Sequence, residues 1–163
     1  MYEVNSAFAR VEQILPFFHI LSISAIIALQ TSVVAIVIFF MKSSQDKRNL
    51  KFLLFSLNLF FFLFILLLAL IVTIGYLLLD SNNIKFADPM VEEIINTKIV
   101  LILFILFNHF YIFYRMKELK KSILKDDNEA MMEHLVIIAK YFLPLNIALF
   151  AIGIYLGVAL KVI

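Results

Sequence analysis

Polar side chains stand inside long apolar stretches of this sequence, among them His19, Gln30, Asn58, Lys98, Asn108, His109 and Asn146. Ionisable and amide groups are costly in hydrocarbon, so where they occur they usually face a bundle interior and mark a site. Histidine and a neutral lysine can both ligate a haem iron, and burial in a low-dielectric site is what leaves a lysine neutral. A compact zinc centre is not expected. The three histidines, His19, His109 and His134, fall at three depths, and tetrahedral ligands must converge within about 2 Å of the metal. Haem is larger and takes one or two axial ligands from facing helices.

Depth decides which residues can act together. His19 lies about five residues below the start of its apolar stretch, roughly 7 to 8 Å, and Lys98 opens another. These two share a level, whereas His109 follows Lys98 by eleven residues, about 16 Å further in. His19 with Lys98 is therefore the favoured ligand pair, with His109, Asn108, Asn146 and Gln30 as supporting polar groups. Each has a plainer reading. Lys98 can snorkel to headgroups, His19 can bridge helices by a hydrogen bond, and His109 beside Asn108 can be a polar packing contact. His134 reads as an interfacial residue.

The elements that position these groups are apolar spans. Hydrophobic residues make up 64 % of the chain and charged ones 16 %, against about half and a quarter in a soluble domain. A domain of 163 residues could not hide that surface from water. Four stretches exceed the about 20 residues needed to cross a bilayer: Ile14 to Met41, Phe52 to Leu79, Ile95 to Tyr114 and Leu135 to Ile163. Such runs are too long for strands, and helices satisfy their own backbone groups in lipid. The expectation is one all-α membrane domain, a four-helix bundle spanning residues 1–163. Within it the run Leu59-Phe60-Phe61-Phe62-Leu63-Phe64 reads as lipid-facing surface.

Charge placement orients the bundle. Lys42, Lys47, Arg48 and Lys51 lie between spans one and two, and Arg115, Lys117, Lys120, Lys121 and Lys125 between three and four. The remaining connector holds Lys85 among Asp80, Asp88, Glu92 and Glu93. Basic loops stay cytoplasmic, which puts both termini outside. Residues 115 to 133 alternate charge with Leu119, Ile123, Leu124, Met131 and Met132, predicting that the third helix continues as an amphipathic cytoplasmic extension. That extension reads as a solvated hairpin on the membrane surface, or as a partner-binding helix.

Several chemistries are excluded or disfavoured. The absence of cysteine removes disulfides, thiolate metal sites and cysteine nucleophiles. No phosphate loop is expected from three glycines, Gly75, Gly153 and Gly157. No carboxylate lies within a span, as an ion pathway usually requires. The net charge of +2 does not suggest nucleic acid. The stretch Met1 to Gln13, with Glu3, Arg10 and Glu12, does not read as a cleaved signal. Gly153 and Gly157 form a Gly-x-x-x-Gly, which lets helices approach closely within the bundle or in a homo-oligomer.

A histidine high in the first span and a lysine opening the third resemble the HemJ-type protoporphyrinogen oxidases and the related copper-resistance D-type membrane proteins. The stretch Lys98-Ile-Val-Leu-Ile-Leu-Phe-Ile-Leu-Phe-Asn-His109 is similar to that family's Lys-Leu-x-Leu-Val run ending in Tyr-His, followed by a basic flank that Arg115 and Lys117 match. Asn146 matches one position of its Arg-x-x-Asn-Glu-x-Pro segment, where the glutamate is here Ile147. The family's tryptophan is absent, and its Arg-x-x-Val-Tyr-His ending is here Val34-Ala35-Ile36-Val37-Ile38-Phe39-Phe40-Met41. The resemblance implies a b-type haem held by His19 and Lys98, oxidation of protoporphyrinogen IX to protoporphyrin IX, and a bacterial inner membrane. The alternatives are a non-catalytic haem- or copper-handling relative, and a small structural or partner-binding membrane protein.

Overall fold

The computed structural model describes residues 6–42, 47–81 and 89–162, and nearly all of them are helical. The chain forms α1 (Ser6–Lys42), α2 (Lys47–Ser81), α3 (Pro89–Leu124), α4 (Asn128–Val136), one π turn (Ile137–Phe142) and α5 (Leu143–Val162). Three stretches are long and apolar enough to cross a membrane, Ile14–Lys42, Asn49–Leu79 and Asn128–Ala159, as in an integral membrane protein. The third long helix, α3, carries no charged side chain between Lys98 and Arg115. Lys85 and Asp88 of the connector, and Glu3 near the N-terminus, lie outside the described residues.

The core is a set of stripes at helical spacing. Ile26, Val33, Val37 and Phe40 on α1 meet Leu53, Leu57, Phe60, Phe64 and Leu68 on α2 along the most extensive helix pair. Alternating steps of three and four residues keep each stripe on one face. α5 packs against α1 and α3, completing the bundle. Hydroxyls are satisfied locally: Ser22, Thr31, Ser32 and Thr73 each donate to the carbonyl four residues earlier, which spares them a partner in lipid.

The connector between α3 and α4 is a helical hairpin, the first of the two forms expected for the extension. Asp126 adopts a left-handed φ of 54°. The Asp127 amide donates to the Ser122 carbonyl at 3.0 Å and the Asp126 amide to that of Ile123 at 3.3 Å, the pairing of a Schellman stop. Asp127 then caps α4, its carboxylate accepting from the Ala130 amide at 3.0 Å. Met116, Leu119, Met131 and Leu135 bury the hairpin's apolar face against the bundle. Arg115 clasps Glu133 at 3.4 Å, and Lys120 reaches α2 to donate to Asn58 at 3.0 Å. Lys121 donates to Glu118 at 2.7 Å and holds that carboxyl below its usual range. That contribution is present above the ordinary glutamate range and fades as pH falls through the lowered value; solvent screening at the exposed Lys121 keeps it small.

Loss of the cap in Asp127→Ala is expected to cost about 1 kcal/mol. Asp126→Gly should instead stabilise the hairpin by up to about 1 kcal/mol, since glycine enters the left-handed region without the Cβ penalty. Hydrogen exchange of the hairpin amides reads both; protection moving the same way in the two variants would refute this account of the turn.

The π turn precedes Pro144. Proline cannot donate the next helical hydrogen bond, and the widened turn, in which the Leu143 amide donates to the Ile138 carbonyl, carries the chain past it without a break. α4, the π turn and the apolar α5 thus form one continuous rod.

Candidate functional site

Six candidate polar side chains inside the bundle fall into two layers, one half-buried and one buried. In the first, His19 and Lys98, both half-buried, lie near one another across the bundle. Each is seated on a glycine of another helix. A Cβ added at Gly75 of α2 would stand 3.5 Å from His19 Cε1, and one at Gly157 of α5 would stand 3.3 Å from Lys98 Nζ. All four long elements therefore meet here: α1 supplies His19, α2 its glycine, α3 Lys98 and α5 the second glycine. His19 Nδ1 is buried and reaches no protein partner. No carboxylate among the described residues pairs with Lys98.

The second layer lies eleven residues further along every helix: Gln30 after His19, His109 after Lys98, and Phe64 and Asn146 before Gly75 and Gly157. Eleven residues are almost three full turns, about 16 Å of rise, so both layers use the same face of each helix. Contacts fix the level. His109 stacks on Phe64 at 4.0 Å between ring centroids and on Phe61 at 4.6 Å, and Asn108 donates to Asn146 at 3.1 Å. Gln30, His109 and Asn146 are fully buried and Asn108 nearly so.

The aromatic run of α2 is thus not wholly lipid-facing. Phe62 is 65 % exposed, but Phe60 and Phe64 are completely buried. One helical face of the run packs on His109 because an imidazole, flat and polarisable, stacks well on phenyl rings. Asn108 and His109, neighbours in sequence, have separate jobs: the amide ties α3 to α5, while the ring fills the interval between α3 and α2. His134 is half-buried in the hairpin, apart from both layers.

The sequence reading singled out neither Gly75 nor Phe64. A glycine opposite a histidine leaves no mark in a single chain, although the shared interval of eleven between Gly75 and Phe64, His19 and Gln30, could be counted. The Gly153–Gly157 pair divides. Gly157 cradles Lys98, whereas nothing stands within 4 Å of a Cβ placed at Gly153. Gly157→Ala is expected to fold and to gain up to about 1 kcal/mol in helix propensity, with only the flexible end of Lys98 displaced. A large drop in thermal unfolding temperature would show that the cradle is rigid.

Among the described residues no three His, Asp or Glu side chains gather as a metal site. An apolar cavity of about 300 Å³ lies between α1 and α2 at the Lys42 end, lined by Ala35, Ile36, Phe39, Phe40, Asn49, Phe52 and Leu53, away from both layers. No family model, no curated protein and no solved structure matches this chain.

Proposed function

We propose that this chain is a four-span membrane protein holding a b-type haem between His19 and Lys98, and that it acts as an oxidoreductase of the HemJ-type protoporphyrinogen oxidase kind. The observation that carries the reading is the convergence of His19 and Lys98 on one level, each resting on a glycine of another helix. The residues fit the group chemically. The unpaired ring nitrogen of His19 and an amine that pairs with no carboxylate among the described residues are what such ligation asks for. A bound haem would supply one-electron chemistry. His19 and Lys98 would hold it from α1 and α3, and Gly75 and Gly157 would set how closely the helices approach.

The orientation belongs to the same proposal. α3 serves as the fourth span, the basic ends of α1, α2 and the hairpin lie in the cytoplasm, and both termini lie outside. A bacterial inner membrane is the setting that the resemblance implies. Because the chain has no cysteine, single cysteines report this directly. One at Lys121 is expected to react with an impermeant maleimide only after the membrane is opened, and one at Glu92 in intact spheroplasts. The reverse pattern would invert the topology.

The second reading, a non-catalytic haem- or copper-handling relative, draws on Ile147 standing where the family has glutamate. Protoporphyrinogen oxidation by the haem-loaded protein separates the two: turnover supports the enzyme, and a flat trace with haem bound supports the relative. The hairpin spends its apolar face on the bundle, which weakens the case for it as a docking helix.

A further inference from the structure

The layer of Gln30, His109 and Asn146 holds five buried polar atoms without a well-formed hydrogen bond: both amide atoms of Gln30, the Asn146 amide nitrogen and both ring nitrogens of His109, one of which has only the Phe61 carbonyl nearby. They come from three helices, and all three side chains are fully buried. Reversing the Gln30 amide cures nothing, since both its atoms lack partners. Asn146 has already committed its oxygen to Asn108. A neutral imidazole offers one donor and one acceptor, and the two amides add NH2 donors and one free carbonyl. In the middle of a membrane, no solvent is at hand to pair them.

We propose that this layer is an internal water-binding site, in which ordered water bridges Gln30, His109 and Asn146. A water molecule donates twice and accepts twice. It can therefore donate to the Gln30 carbonyl and the imine nitrogen of His109 while accepting from the Asn146 amide and a second N–H. Buried waters are held in this way, by two to four polar partners. Larger ligands do not fit. Phe61 and Phe64 stack on His109 at 4.6 and 4.0 Å with nearly parallel rings, and Phe60 meets it edge-on. The site does not depend on the His19–Lys98 pair: above it the bundle is sealed by Ile26, Leu68, Ile105 and Phe150, all buried. The water is consequently structural and long-lived, a bridge tying α1 to α3 and α5 where direct side-chain bonds fall short.

The test is water-edited solid-state NMR of 15N-histidine protein in phosphatidylcholine–phosphatidylglycerol bilayers. Variants His19→Gln and His134→Gln assign the His109 signals. Magnetisation passing from water to the His109 ring nitrogens, and lost in Gln30→Leu and in Asn146→Leu, is the expected result. No transfer to His109 in the wild type, under conditions where His134 receives it, would overturn the proposal. Transfer that persists unchanged in both leucine variants would overturn it too, by placing the water on other groups. The wild-type spectrum decides whether water is present even if a leucine variant fails to fold.

Discussion

Purified in detergent after expression with ample haem, the protein is expected to show a Soret band that shifts on dithionite reduction, and both His19→Ala and Lys98→Ala are expected to lose it. The size of the effect follows from the geometry. In the proposed reading the pair would supply both protein ligands to the haem, and His19 is the one histidine at that level of the bundle. A haem deprived of either ligand loses its defined coordination, so the spectrum changes in kind rather than degree. His134→Ala is the control: its ring lies in the hairpin, and the band should survive. Should the wild type show no band, the haem reading fails, and His19 and Lys98 become packing residues seated on glycines. Should the band survive Lys98→Ala alone, haem would be held by His19 and another group, and the assignment of Lys98 would fall.

Much of this architecture was legible in the chain because lipid imposes its rule residue by residue. A run such as Ile14 to Met41 must be helical to pair its backbone. The depth of His19 and Lys98 could be counted at a fixed rise per residue. Which face of an apolar helix turns inward could not. In a soluble protein the contrast of polar and apolar residues points to the core, but Leu59 to Phe64 is apolar on every side. Phe60 and Phe64 were assigned inward by a partner, His109, that sits forty-five residues after Phe64. Gly75 was silent for the same reason: its role is the space it leaves for His19. A hairpin was expected after α3, but its turn could not be placed at Asp126, because the left-handed residue is an aspartate where glycine is the usual signal.

Phe64→Ala is expected to be the most damaging single truncation in the membrane core, because that ring closes the second layer. It is completely buried, stacks on His109 at 4.0 Å and a 10° interplanar angle, meets Phe150 edge to face and lies tilted against Phe60. In a soluble core such a truncation costs about 3–5 kcal/mol, as the sum of lost transfer energy and a cavity. In lipid the transfer part largely vanishes, since acyl chains are as apolar as the protein interior. The lost dispersion and stacking remain, because a void has no atoms on its far side. About 2–3 kcal/mol is the expected loss, read as a lowered thermal unfolding temperature in detergent or by steric trapping in bicelles. Phe62→Ala is the comparison that isolates the cause. Two residues away on the same helix and 65 % exposed, Phe62 faces the lipid and should cost under about 0.5 kcal/mol. Equal losses in the two variants would mean that helix propensity or the surrounding detergent sets the cost, and the stacking of α2 on His109 would carry no energetic weight.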